Sequence, residues 1–487
     1  ERRDAHDDLR CRIGTTSPDA FSNLPLSPSM QENLQALGYL AMTPIQAASL
    51  PLTLAGDDLI AQAKTGSGKT AAFALPMLHR LNGGSLAVQG MVMCPTRELA
   101  DQVAQEIRRL ARFEPNIKVL TLCGGATMRP QIESLAHGAH IVVGTPGRLM
   151  DHLERGTLDL SGLQTLVLDE ADRMLDMGFH DDIVAVTRQC PKRRQTLLFS
   201  ATYPEGIAKL SAQFLRSPKE VKVESKHDGR KIRQRWLEVD NGTRLDAVSQ
   251  LLLHYRPAST IAFCNTKQQC RDLVDVLTAH GIEAIALHGD LEQRDRDQVL
   301  IQFANRSASV LVATDVAARG LDIAQLEAVI NVDVTPDPEV HIHRIGRTGR
   351  GDAEGLALNL ASMDEMGRVG NIELLQGQES SWLKLSELAP ASNKPLEPPM
   401  ITIQILGGKK EKIRPGDVLG ALTGEAGLQG SQIGKINVTD FHTYVAVERG
   451  IAGKAVAQLN AVKVKGKKVK ARLLKDVLAT AAQDARR

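Results

Sequence analysis

Residues 63–70 read Ala-Lys-Thr-Gly-Ser-Gly-Lys-Thr, directly after a short apolar run at 59–61. No other string in the chain restricts the fold as much. The run is too short for a helix and reads as a buried parallel strand, while the Gly-rich turn must open a helix at Lys69-Thr70. Thr65, Gly66, Ser67 and Gly68 then form a loop whose backbone N–H groups curl around phosphate oxygens, with the helix N-terminus behind them. Lys69 reaches the β- and γ-phosphates, and the Thr70 hydroxyl is a magnesium ligand.

About a hundred positions later a second apolar run, 166–168, leads into Asp169-Glu170-Ala171-Asp172. At a strand's carboxyl end Asp169 can hold a hydrated metal, and Glu170 can orient and deprotonate the attacking water. A phosphate cradle paired with an acidic metal site predicts ATP hydrolysis with Mg2+, and Lys69, Asp169 and Glu170 as catalytic residues.

The surroundings repeat this logic. Short β-branched or Leu-rich runs at 90–94, 119–122, 140–143, 165–168 and 196–199 alternate with helical patterns, the rhythm of a doubly wound parallel sheet with function at strand carboxyl ends. A charged stretch without apolar periodicity, 222–235, reads as a linker. The rhythm then restarts at 260–264, 283–287, 309–313, 328–332 and 355–360, without a second phosphate loop. A Pro-rich segment, 390–399, precedes a smaller unit with strands at 401–406, 435–438, 444–447 and 467–473 and helices at 416–423 and 453–459, a split βαββαβ order.

The 487 residues fit three domains. The net charge of +2 hides an asymmetry: residues 401–487 carry 16 Lys and Arg against 7 Asp and Glu, a balance of +9 that leaves the rest at −7. A basic end on an acidic body points to a polyanion partner. No apolar run approaches a membrane span, so no membrane partner is expected. The cysteines (11, 94, 123, 190, 264 and 270) form no C-x-x-C pair and read as core residues of a reducing cytoplasm. The chain opens on Glu1, which reads as a processed or truncated start.

Taken together, the motifs over about residues 20–375 resemble those of the DEAD-box RNA helicases. Phe21, Thr43 and Gln46 look like that family's adenine-recognising motif, where an amide donates and accepts together against the base edge. Pro95-Thr96-Arg97, Gly124-Gly125 and Thr145-Pro146-Gly147-Arg148 are similar to its RNA-backbone motifs, as are Arg296 and Thr314 in the second half. Ser200-Ala201-Thr202 resembles the motif that couples the nucleotide site, through Asp172, to strand separation. By the same resemblance Asp322 lies near the ribose, and Arg347 and Arg350 of His343–Arg350 act as arginine fingers.

The resemblance implies two tandem RecA-like parallel-sheet domains plus a small C-terminal α+β domain like an RRM. The boundaries expected are a disordered tail at 1–17, domains at 18–222 and 236–376, linkers at 223–235 and 377–400, the RRM-like domain at 401–475 and a tail at 476–487. Within one bacterial subgroup the match continues through 407–410, 414–423 and 433–436. It implies a domain that directs the enzyme to a 23S rRNA hairpin in a pre-50S ribosomal particle. Ile403 and Ile405 stand where stacking aromatics are often found, and Phe441 and Tyr444 are the aromatics after residue 400. Recognition therefore leans on Lys409, Lys410 and Lys435, with Lys412, Lys465, Lys467 and Lys468 nearby in sequence. Two rivals remain at this point, an ATP-gated RNA clamp and a DNA helicase. Glu170, Arg347 and Arg350 count against the clamp, because a clamp needs no hydrolysis machinery.

Overall fold

The structure is a computed structural model that describes residues 19–63, 66–203, 205–223, 232–318, 326–349, 354–392, 394–424 and 427–474. The tails at 1–17 and 476–487, Cys11 and most of the 223–235 segment lie outside them. The chain divides into two compact units with the break after Lys226.

The first unit is built on seven strands: β1 (Leu59–Gln62), β2 (Gly90–Met93), β3 (Val119–Leu122), β4 (Ile141–Gly144), β5 (Thr165–Asp169), β6 (Gln195–Ser200) and β7 (Lys219–Lys222). They lie in the order β3-β4-β2-β5-β6-β1-β7, all parallel. The central strands are buried on both faces because helices cover them, one core holding Phe73, Ile107 and Phe199 and the other Met91, Met174 and Leu198. Their order sorts the chemistry. The strings expected to touch RNA follow β3, β4 and β2, the strings expected to touch nucleotide follow β1, β6 and β5, and the two sets meet where β2 neighbours β5.

The second unit holds two bodies. Its first sheet contains β8 (Ile232–Glu238), β9 (Thr260–Phe263), β10 (Ala284–Leu287), β11 (Val310–Ala313), β12 (Ala328–Asn331), β13 (Gly355–Ala361) and β14 (Trp382–Leu383), in the order β10-β11-β9-β12-β13-β8-β14. Two expectations change here. Residues 232–235, read as linker, form the start of β8, which pairs with β13 over seven residues. Main-chain hydrogen bonds do not need apolar side chains, and buried Trp236 and Leu237 supply the anchor. The 377–400 stretch, also read as linker, is folded onto this body. It adds β14, packs Leu383, Leu385 and Leu388 on the core, buries Leu396, and has its Lys394 and Pro395 carbonyls held by Arg256 at 2.8 and 2.9 Å.

The second body is the expected split sandwich. Strands β15 (Met400–Leu406), β16 (Ile433–Val438), β17 (His442–Glu448) and β20 (Lys470–Leu473) form an antiparallel sheet in the order β16-β17-β15-β20, and β18 (Lys463–Val464) with β19 (Lys467–Lys468) forms a small hairpin. The helices Pro415–Thr423 and Ala452–Ala461 cover one face. Ile401, Ile403 and Ile405 point into that core with Val418, Leu422 and Leu459. The reading of Ile403 and Ile405 as occupants of the stacking face is therefore corrected: alternation puts Thr402 and Gln404 on the outer face, one residue out of step.

That outer face is covered. The Tyr444 hydroxyl meets Gln298 Nε2 at 3.3 Å and Gln404 Nε2 at 3.4 Å, and Thr402 Oγ1 meets Asn305 Nδ2 at 3.2 Å and Ser307 Oγ at 2.7 Å. Asn437 donates to Asn305 at 3.1 Å, and Arg449 pairs with Glu283 at 2.8 Å. Gln298 lies on the helix Gln293–Ala304 of the first body, so the sheet is seated on that body through polar side chains.

Candidate active site and nucleic-acid interface

In the first unit the chain turns sharply where β1 ends. Gly66 and Gly68 have φ of 81° and 92°, and Gly68 caps the helix Lys69–Arg80. A Cβ on Gly68 would stand 2.6 Å from Gln46 Nε2, so both conformation and space require glycine. Gln46 braces this loop. Its Nε2 donates to the Gly68 carbonyl at 3.0 Å, while its Oε1 accepts from Thr43 N at 2.9 Å in a capping box that starts the helix Pro44–Ala55. The amide expected to read a base edge is thus bonded at both ends inside the protein. Phe21 is buried edge-on against Tyr39, with ring centroids 5.8 Å apart. Tyr39 in turn bonds Glu106 on the helix Arg97–Leu110.

Asp169 ends β5, and Glu170 follows in the left-handed region (φ 54°, ψ 51°) as the cap of the helix Ala171–Asp176. That conformation costs about 1 kcal/mol for a residue with a Cβ and turns the Glu170 side chain out of line with the strand. Both carboxylates are buried. Burial pushes the Asp169 carboxyl up to about 6 even though the Lys69 ammonium opposes this. Lys69 Nζ and Asp169 Oδ1 are both buried with no hydrogen-bond partner among the described residues. An unpaired buried ammonium and an unpaired buried carboxylate oxygen are costly unless a ligand completes them. A phosphate oxygen fits the first, and a divalent cation the second. Among the described residues no cluster of three or more His, Cys, Asp or Glu side chains could hold a metal. One carboxylate with substrate phosphates is the way magnesium is usually held, and the half-buried Thr70 is placed in the first helical turn to add its hydroxyl.

Asp172 faces the next strand. Its Oδ2 accepts from Ala201 N at 3.1 Å, Thr202 N at 2.9 Å and Thr202 Oγ1 at 2.9 Å, and its own N–H donates to Ser200 Oγ at 3.3 Å. Burial alone would raise this carboxyl, but the Thr202 hydrogen bonds hold it below the ordinary value. One charge therefore ties the segment after β5 to the segment after β6.

The strings beside it differ in what they leave free. Thr96 caps the helix Arg97–Leu110, its hydroxyl accepting from Leu99 N at 3.3 Å. Arg97 keeps Nε and Nη1 buried without a partner. Pro95, Gly124 and Gly125 lie at the ends of β2 and β3, and Gly125 has φ 72°. Thr145 precedes the helix Pro146–Glu154, which includes Gly147 and Arg148. Arg148 turns inward, donating to Ala126 O at 3.1 Å and Gln131 Oε1 at 3.0 Å and pairing with Asp151 at 3.3 Å. It braces the 124–126 turn, while two helix N-termini present N–H groups suited to phosphates.

In the second unit Arg296 donates to Ala317 O at 2.6 Å, and Thr314, which follows β11, and Arg347 are buried. Thr65, Asp322 and Arg350 lie outside the described residues. Two functional residues escaped the sequence reading. Arg173 donates to Glu170 Oε2 at 2.5 Å, a nearly buried pair that fixes the Glu170 carboxylate. The i, i+3 spacing was legible, but the burial was not. Arg344 binds Asp315 in a two-pronged pair of 2.7 Å contacts and also donates to Asn331, Asn265 and the Asp333 carbonyl, joining the 313–315 and 343–347 strings.

Several lysines of the last body lie close to one another. Lys465 Nζ bonds the Lys412 carbonyl, Lys409 lies 3.8 Å from Asp440, and Lys467 and Lys468 are exposed on the adjoining hairpin. Lys435 is exposed on β16.

Residues 43–210 match the family described as DEAD/DEAH box helicase, 243–352 the helicase conserved C-terminal domain, and 402–473 the DbpA RNA binding domain. The chain is 53% identical to the ATP-dependent RNA helicase DbpA of Escherichia coli over 94% of its length and all of that protein. It is 44% identical to the DEAD-box ATP-dependent RNA helicase CshA of Bacillus cereus, covering 72% of this chain and 67% of that one. Its fold is similar to S. cerevisiae Dbp5 bound to RNA and ADP BeF3, with a TM-score of 0.69, 30% identity and coverage of 76% of this chain and 96% of that one.

Proposed function

Because the chain belongs to the DEAD-box family of ATP-dependent RNA helicases, we propose that it separates short RNA duplexes locally while its last domain anchors it to a hairpin of 23S rRNA in a pre-50S particle. The reading includes Mg2+ as cofactor and the cytoplasm as its setting. One observation carries the catalytic part: Lys69 Nζ, on the helix after β1, and Asp169 Oδ1, at the end of β5, stand buried and unpartnered among the described residues. Bound Mg2+ would neutralise charge on the phosphates. Lys69 holds the terminal phosphates and Thr70 and Asp169 hold the metal. Glu170, fixed by Arg173, orients the attacking water and accepts its proton. Arg347 and Arg350 stabilise charge on the transferring phosphoryl group, a contribution of about 10³–10⁵ in rate for such arginines. Asp172 passes the state of the nucleotide site to Ser200 and Thr202. Arg97, the 124–125 turn, the 145–148 helix start, Arg296 and Thr314 grip the RNA backbone, with Phe21, Thr43 and Gln46 on the adenine side and Asp322 near the ribose.

The rRNA anchor rests on the basic end of the last domain and its family match over 402–473. Lys69→Ala is expected to abolish RNA-stimulated ATPase and leave RNA binding by the full chain near the wild-type level. Full turnover by this variant would refute the role given to Lys69. ATPase stimulation by 23S rRNA fragments tests the anchor: a response confined to one fragment supports it, and equal responses to every RNA overturn it.

A further inference from the structure

We propose that Phe441 is a stacking platform for an unpaired RNA base, placed at the loop end of the last domain and away from its sheet. This deepens the RNA-anchor reading and rests on it. The sheet face has no aromatic to offer: Tyr444 is 3% exposed and its hydroxyl is engaged by Gln298 and Gln404. Phe441 is 57% exposed at the tip between β16 and β17.

The tip is held rigidly. The Phe441 carbonyl accepts from Gly407 N at 3.0 Å, Lys409 N donates to Thr439 O at 2.9 Å, and Lys410 N donates to Asp440 O at 3.1 Å. A Cβ on Gly408 would come within 2.2 Å of the Thr439 carbonyl, so the 407–410 loop lies directly on the hairpin. A ring fixed this way loses little freedom when a base lands on it.

Charge identifies the occupant. Lys410 Nζ sits 4.0 Å from the ring centroid and covers one face. Lys467 and Lys410 both act on Glu411 electrostatically, and Arg294 and Arg472 act on His442, the next residue. An exposed ring beside converging cations matches a base flanked by its phosphates, the combination single-stranded nucleic acid requires. Arg294 belongs to the helix that also carries Arg296.

The test uses the full chain with two synthetic probes: an RNA stem closed by an unpaired loop carrying 2-aminopurine, and the same stem with blunt ends. Phe441→Ala should weaken hairpin binding roughly tenfold, which is about 1.4 kcal/mol. Blunt-stem binding should change less than about twofold, and the salt dependence should keep its slope because no phosphate contact is lost. Phe441→Trp should restore affinity, and wild type, unlike Phe441→Ala, should quench the loop fluorophore. Equal hairpin affinity for wild type and Phe441→Ala, both with unchanged melting, would overturn the stacking site alone. Failure of wild type to prefer the hairpin over the blunt stem would instead overturn the RNA-anchor reading beneath it.

Discussion

The carboxyl ends of the first sheet and the outer face of the last sheet both line up polar side chains, yet they treat them oppositely. At the strand ends Lys69, Asp169 and Arg97 keep buried polar atoms without partners. On the last sheet Tyr444 and Thr402 are buried and bonded to Gln298, Asn305 and Ser307. A buried group left unmatched marks a place kept for a ligand, and a matched face marks a place already filled by the protein. Position in a fold alone would have assigned a ligand to both.

The largest expected effect breaks the unmatched side. Asp169→Asn should abolish ATPase, about 10² or more in kcat, while stabilising the nucleotide-free protein. The sign follows from the raised carboxyl. Protonation is favoured by the fold, so the associated stability is fully present below about pH 4 and lost as pH rises through about 6. Between those limits the wild type should lose up to about 3 kcal/mol that Asp169→Asn does not. Thermal melts of both proteins from pH 4 to pH 8 check this, and parallel pH profiles would count against it.

A smaller effect concerns Arg173. Removing its bond to Glu170 should lower kcat about tenfold with KM for ATP unchanged, and Arg173→Lys should recover part of the loss. A KM change without a kcat change would assign Arg173 to binding. The smallest expected effect sits on the matched side. Gln298→Ala should cost about 1 kcal/mol of stability by removing one hydrogen bond from Tyr444, with basal ATPase unaltered. Loss of ATPase without loss of stability would show that this seam is itself part of the catalytic machinery.

Much of this was readable from the chain, for a physical reason. Central parallel strands are buried on both faces and so read as continuous apolar runs, and the functional strings follow them directly. Outer strands escape that rule: β7, at the edge, is largely exposed, and β8, next to the two-residue edge strand β14, opens with Ile232-Arg233-Gln234 held by main-chain bonds. The stacking-face error at Ile403 and Ile405 was a slip of one residue, because an apolar alternation tells which side chains share a face and not what lies against it. Gln46, Thr96 and Arg148 show a further limit. The residue type announces a hydrogen-bonding group, but only folding reveals that the Gln46 amide braces Gly68 or that Arg148 turns toward Ala126. Asp172 was legible because its partners, Ser200 and Thr202, sit at the end of an equally recognisable strand.

In the proposed mechanism Arg347 and Arg350 stabilise charge on the transferring phosphoryl group. Single-turnover ATP hydrolysis by Arg347→Ala and Arg350→Ala with saturating RNA tests this most directly. The expected result is a fall of about 10³ or more in the hydrolysis rate with nucleotide affinity retained. Hydrolysis at the wild-type rate in both variants would contradict it.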